Sequence, residues 1–152
     1  MVSLISGNSV ISKSTLFVRD ILRANISDPL SRSGSGTAFV YSSYPRENII
    51  YPIITVVDNG IRDIRRMGMQ SESTLMQLPF EVRVWARNVV ERDSLSDNVY
   101  SFFKNNQFGT GSVSVNVGLH DFTCTSMTNV DEAGEEGIKS KVMGYKWIYI
   151  NE

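Results

Sequence analysis

The stretch FEVRVWARNVVERDSLSDNVYSFFKNN, residues 80–106, passes from one hydrophobic period to another. Phe80, Val82, Val84 and Ala86 share one parity, while Glu81, Arg83, Trp85 and Arg87 share the other. Side chains alternate across a strand, so the pattern predicts a strand with one buried and one wetter face. Leu95, Val99, Phe102 and Phe103 then recur at i, i+4, i+7 and i+8, one stripe of a helix. Ser94-Leu-Ser-Asp97 has the spacing of a loose capping box, which puts the helix start near Ser94. No catalytic group stands at the junction, so the unit reads as scaffold.

Working outward, STLFVRDILRAN (14–25) predicts a first helix, with Phe17, Val18, Ile21 and Leu22 inward and Ser14 or Thr15 as cap. SDPLSRSGSGTAF (27–39) is rich in Ser and Gly and reads as a flexible surface loop, with a short strand at Phe39–Tyr41. IIYPIITVV (49–57) is an apolar, β-branched run that fits a strand buried on both faces, its ladder starting after Pro52. Asp58-Asn59-Gly60 signals a turn, and the polar segment to Ser73 reads as an arm. Val113, Val115, Val117 and Leu119 alternate, and the parity flips at Phe122 and Cys124, which predicts a bulge near residues 118–121. NVDEAGEEG (129–137) is an acidic turn before a last strand, KVMGYKWIYI (141–150). The order implies an α+β fold in a single domain, residues 1–152: a four- to five-stranded, largely antiparallel sheet, two helices on one face, and a long hairpin arm.

Composition narrows the function classes. The 152 residues are 41% hydrophobic and 20% charged, as in an ordinary globular domain, and the formal charge of −1 gives no general attraction to nucleic acid or membrane. The single cysteine, Cys124, excludes an internal disulfide framework and a multi-cysteine metal cluster. No apolar run approaches the roughly 20 residues of a membrane span, and the start MVSLISGNSVISKS makes a poor signal peptide. His120 and Cys124 are too far apart along a strand, roughly 13 Å, for a nucleophile pair. Asp131, Glu132, Glu135 and Glu136 lack calcium-loop spacing, and GSGTAF and QFGTGS lack the lysine of a phosphate loop. The expectation is a protein that is not an enzyme, with no catalytic, metal or cofactor residues. The arm IRDIRRMGMQSES is the more telling feature. Arg62, Arg65 and Arg66 with Met67 and Met69 have the make-up of a contact with a neighbouring subunit, and phosphate binding or a solvated hairpin are the other readings.

The order of elements, with YPIITVVDNG, LPFEVRVWARN and ERDSLSDNVYSFFKNN, resembles the tail-terminator and tail-completion proteins of long-tailed (siphovirus- or myovirus-like) viruses. The resemblance runs from LFVRDILRAN to YKWIYI. It implies a structural virion protein made in the host cytoplasm, a ring subunit of about six copies. Such a ring caps the head-proximal end of the tail tube, stops tube growth and joins tail to head. Its partners would be itself, the tail tube protein and a head-connector or neck protein, with DNA only passing through the channel, no membrane and no cofactor. Glu81, Arg83 and Arg87 on the strand join Arg62, Arg65, Arg66, Met67 and Met69 of the arm as expected interface residues. A neck or head-completion connector and a small nucleic-acid-binding adaptor are the alternatives.

Overall fold

The structure, a computed structural model, describes residues 10–34, 36–60, 62–66, 74–106, 119–131 and 137–151. Helix α1 spans Val10–Asn25, and short strands follow at Val40–Tyr41 (β1), Ile53–Asp58 (β2) and Arg62–Arg66 (β3). Strand β4 covers Thr74–Ala86, helix α2 Val89–Asn106, strand β5 Leu119–Asp131 and strand β6 Lys139–Asn151. The sheet order is β1-β2-β4-β6-β5, with β3 also pairing β4. Every neighbouring pair is antiparallel except β1 with β2. This is the α+β arrangement that the change of period predicts.

β4 is the spine. It pairs with β6 along its whole length, from Thr74 opposite Asn151 to Ala86 opposite Lys139. Its other edge takes β2 from Phe80 to Trp85 and β3 from Thr74 to Gln77. The sequence places this strand at residues 80–87, yet it begins at Thr74. LMQLP lacks a simple alternation, and partners on both sides supply what local pattern does not. Asp58-Asn59-Gly60 is not the reversal it resembles: Asn59 N–H donates to the Pro79 carbonyl at 2.9 Å, Gly60 takes a φ of 90°, and β3 runs on in the direction of β2. The chain reverses between Arg66 and Thr74, so the hairpin arm is a continuation of the sheet.

Both helices lie on one face. Phe17, Val18, Ile21 and Leu22 of α1 and Leu95, Val99 and Phe103 of α2 share one apolar cluster with Ile54, Val56, Phe80, Val82, Val84, Met143, Tyr145 and Trp147. Phe103 is 2% exposed and packs against Phe80 (5.8 Å), Tyr145 (4.9 Å) and Trp147 (5.9 Å). Phe102 is half-buried beside it. Ser14 is inside α1 and buried, so neither it nor Thr15 is the cap; the helix is already under way at Val10. α2 also starts earlier than Ser94. Asn88 accepts from the Glu91 N–H at 2.8 Å through Oδ1, the bond of an N-cap.

The Ser/Gly-rich stretch after α1 is pinned rather than loose. Arg32 donates to the carbonyls of Ala38 and Pro52, both at 2.6 Å, lies over the Phe39 ring, and meets Asp28. Arg23 forks onto the Val40 carbonyl at 3.0 and 2.7 Å. These bonds hold Phe39 and Val40 in the core. Composition gave no sign of this, because the tie is made by one arginine inside the loop.

The sequence expectation of a bulge near residues 118–121 is met by a register shift between His120 and Thr123, and a second shift lies between Cys124 and Ser126. Gly144 sits under the second: a Cβ there would stand 2.7 Å from the hydroxyls of Thr125 and Ser126. The alternation at Val113, Val115 and Val117 and the tip of the acidic turn lie outside the described residues.

Phe103→Ala removes the ring that joins α2 to the sheet. It should cost about 3–5 kcal/mol, a large share of a domain's stability, read as a fall in the urea midpoint at unchanged slope.

Candidate subunit interface

The face of the sheet away from the helices is the surface the chain has to offer. β4 presents Glu81, Arg83 and Trp85 there, and each is only half-buried. Arg83 does not project as the sequence suggests. Its guanidinium stacks 3.9 Å above the Trp85 ring and donates to Ser140 Oγ at 3.0 and 3.3 Å, while Ser140 donates to the Val130 carbonyl. Trp85 Nε1 donates to Thr55 at 3.1 Å, and Tyr44 leans on the indole at 4.8 Å and bonds Tyr51 through their hydroxyls. Arg83 therefore acts first on its own sheet, linking β4 to β6, and leaves a Tyr–Trp–Arg plate half open to solvent. Aromatic and Arg side chains of this kind are enriched where interfaces concentrate their energy. Val57, 38% exposed and opposite Glu81, extends the apolar surface on this face. Glu81 lies between Val57 and Gly144 in the ladder.

Arg87 is at the top of α2, away from Arg83. Its guanidinium grips Glu91, Nη2 to Oε2 at 2.6 Å, and its backbone N–H donates to the same carboxylate at 3.2 Å. The Arg87 hydrogen bond is the chief reason the Glu91 carboxyl is held below its usual range, against an opposing push from burial. Asn88-Val-Val-Glu91 was the sequence signal for this cap, three residues from cap to acid. Beside it Val89 and Val90 are exposed, Val90 at 79%. The next turn is held to the sheet by Asp93, which meets Arg92 at 2.9 Å and Lys141 at 3.0 Å. Those two bonds, Arg92 first, also lower the Asp93 carboxyl.

Arg62, Arg65 and Arg66 fall on β3, at the edge of the sheet, with a register shift between Asp63 and Arg65. Met67 and Met69 lie outside the described residues. The expected interface residues are thus divided among an edge strand, an open sheet face and a helix start.

Chemistry is sparse elsewhere. Cys124 is half-buried against the core cluster, its thiol pushed up by burial and pointed at the Ser126 carbonyl at 3.8 Å. A thiol held protonated is a poor nucleophile. Burial likewise raises the Tyr145 hydroxyl, which donates to Met143 Sδ at 3.3 Å. A polar hollow of about 440 Å³ at the end of α1 is lined by Arg23, Asp28 and Arg32; Arg23 is committed to the Val40 carbonyl, Arg32 to the Ala38 and Pro52 carbonyls, and Asp28 to the N–H groups of Leu30 and Arg32. Among the described residues no three His, Cys, Asp or Glu side chains converge as a metal site, and no helix is long and apolar enough to cross a membrane.

The cap yields a pH signature. Folded Glu91 releases its proton more readily than the unfolded chain does, so its contribution is complete above about pH 4.3, the free-glutamate value. The contribution fades as pH falls through the lower folded value. Glu91→Gln should lower stability near neutrality and flatten the acid limb below that pH, in thermal melts from pH 3 to 7. Asn88→Ala should cost about 1 kcal/mol and leave the shape of that limb alone.

No family model matches the chain, and no curated protein matches it. Among solved structures, a chain from the virion of a native gene transfer agent particle is similar, with a TM-score of 0.56 at 10% identity, covering 91% of this chain and 96% of that one. At that identity the two share a fold.

Proposed function

We propose that this chain is a structural virion protein, a single-domain ring subunit that caps the head-proximal end of a viral tail tube, stops its growth and joins the tail to the head. The observation that carries the reading is the near-complete mutual coverage with a chain of a gene transfer agent virion, which leaves no large insertion on either side. The sequence resemblance to tail-terminator proteins supports the finer role. The surface supports it too: an arginine-bearing edge strand, a half-open Tyr44–Trp85–Arg83 plate, and exposed Val89 and Val90 are features that a partner subunit would cover. In this reading Arg62, Arg65, Arg66, Met67 and Met69 reach the neighbouring copy, and Glu81, Arg83 and Arg87 face the tube or the neck. Six copies form the ring, DNA only passes through it, and the protein is made in the host cytoplasm.

Loss of the protein from an infected cell tests this. Expected are tails of uncontrolled length and filled heads without tails, seen by negative-stain microscopy, with gold-labelled antibody at the head–tail joint of wild-type particles. Tails of normal length that fail to join heads would make the chain a neck connector instead. Normal, infectious particles would end the proposal.

A further inference from the structure

We infer that two copies of this chain join edge to edge through β5, antiparallel about a two-fold axis at Thr128. This goes beyond the ring-subunit reading and uses a surface that the reading leaves unassigned.

The row of the sheet through Thr128 has one closed edge and one open edge. Thr128 of β5 is opposite Val142 of β6, and Arg83 of β4, Thr55 of β2 and Tyr41 of β1 follow in line. At the β1 end the main chain of Val40 is already spent. Its N–H donates to the Gly36 carbonyl at 2.9 Å, and its carbonyl accepts both bonds from Arg23. At the other end, β5 pairs with β6 alone among the described residues. Both register shifts of β5 precede Ser126, which leaves a regular run from Ser126 to Asp131, and Ser126, Met127, Thr128 and Asn129 are exposed along it. Edges are commonly protected by charged side chains or Pro, and Ser126–Val130 has neither.

The run is complementary to itself. A two-fold axis at Thr128 sets Thr128 opposite Thr128, Met127 opposite Asn129 and Ser126 opposite Val130, so no like charges meet within it. The resulting ladder is as long as an ordinary strand, about five to six residues. Met127 supplies a second, independent sign. It stands opposite Met143, which is fully buried on the helix side of the sheet, yet is itself 45% exposed. In the pair the two Met127 side chains are diagonal neighbours on that side, close enough for long, flexible side chains to touch, and each extends the other copy's core. Edge closure selects a second copy over a foreign strand. Joined this way, the double sheet ends on β1 at both sides, where Arg23 closes it, and the row keeps no free edge; a foreign strand would bring an edge of its own.

Exchange at Thr128 tests the axis. Thr128→Lys sets two ammonium groups against each other in the pair, Thr128→Glu sets two carboxylates, and mixing sets one against the other. Thr128 is exposed, and circular dichroism checks that both full-chain variants are folded. Native mass spectrometry over a concentration series should show wild-type dimers. Each variant alone should dimerise at least about tenfold more weakly, and the equimolar mixture should recover a dimer with one copy of each. Wild type that stays monomeric to its solubility limit overturns the joint. So do folded variants that each pair as wild type does, or a mixture that pairs no better than its parts. A six-copy ring formed equally by all three chains, with no two-fold species, would keep the ring reading and end this one.

Discussion

The pairing of β4 with β6, residue against residue from Thr74 to Ala86, is the constraint on which the rest depends. It sets Leu78, Phe80, Val82 and Val84 beside Trp147, Tyr145, Met143 and Lys141. With Val56 and Ile54 next in line, those rows form the floor on which both helices rest. A slip of one residue would turn the apolar row of one of the two strands to the solvent side and take from Phe103 the rings that strand supplies. Several rings meet there, Phe80 on Tyr145 at 5.5 Å and on Trp147 at 5.1 Å, so the register is fixed by large, poorly interchangeable shapes.

From that floor the two faces of the sheet diverge. The helix face is dry and closed. The other face keeps its polar tips and organises them internally, Arg83 to Ser140 and Trp85 to Thr55. Such bonds keep a half-open surface rigid before any partner arrives, so less ordering cost remains to be met on association. An assembly role of the kind proposed calls for no reactive group. It needs surfaces that are already shaped.

Periodicity made much of this legible. Phe80 to Ala86 and Phe17 to Leu22 each declare an inward face, and those apolar residues are in the core, whereas the last strand has apolar residues on both parities. What stayed hidden depends on partners distant in sequence. The first half of β4 is a strand because β6 and β3 flank it, the loop after α1 is held because Arg32 finds the Pro52 carbonyl, and Asn59-Gly60 continues rather than turns because Pro79 receives its N–H. Asn88 and Glu91 were readable, but Ser94 offered a competing cap nearer the apolar stripe. For the interface, residue type pointed to the arginines, while their different roles came only with position: Arg83 is folded onto its own sheet, Arg87 onto its own helix, and Arg62 stands on an edge.

β4 and β6 run unbroken from beneath the helices to Thr74 and Asn151 alongside β3, whereas β2 and β3 are interrupted at Asn59 and Gly60. Antiparallel ladder bonds lie across the strand axis. A pull along the arm therefore loads the β4–β6 rungs together, in shear, where a pull on a hairpin tip from the side would open them one at a time. The two continuous strands behave as tension members anchored in the aromatic floor, and the interrupted pair beside them can bend without slackening the hold.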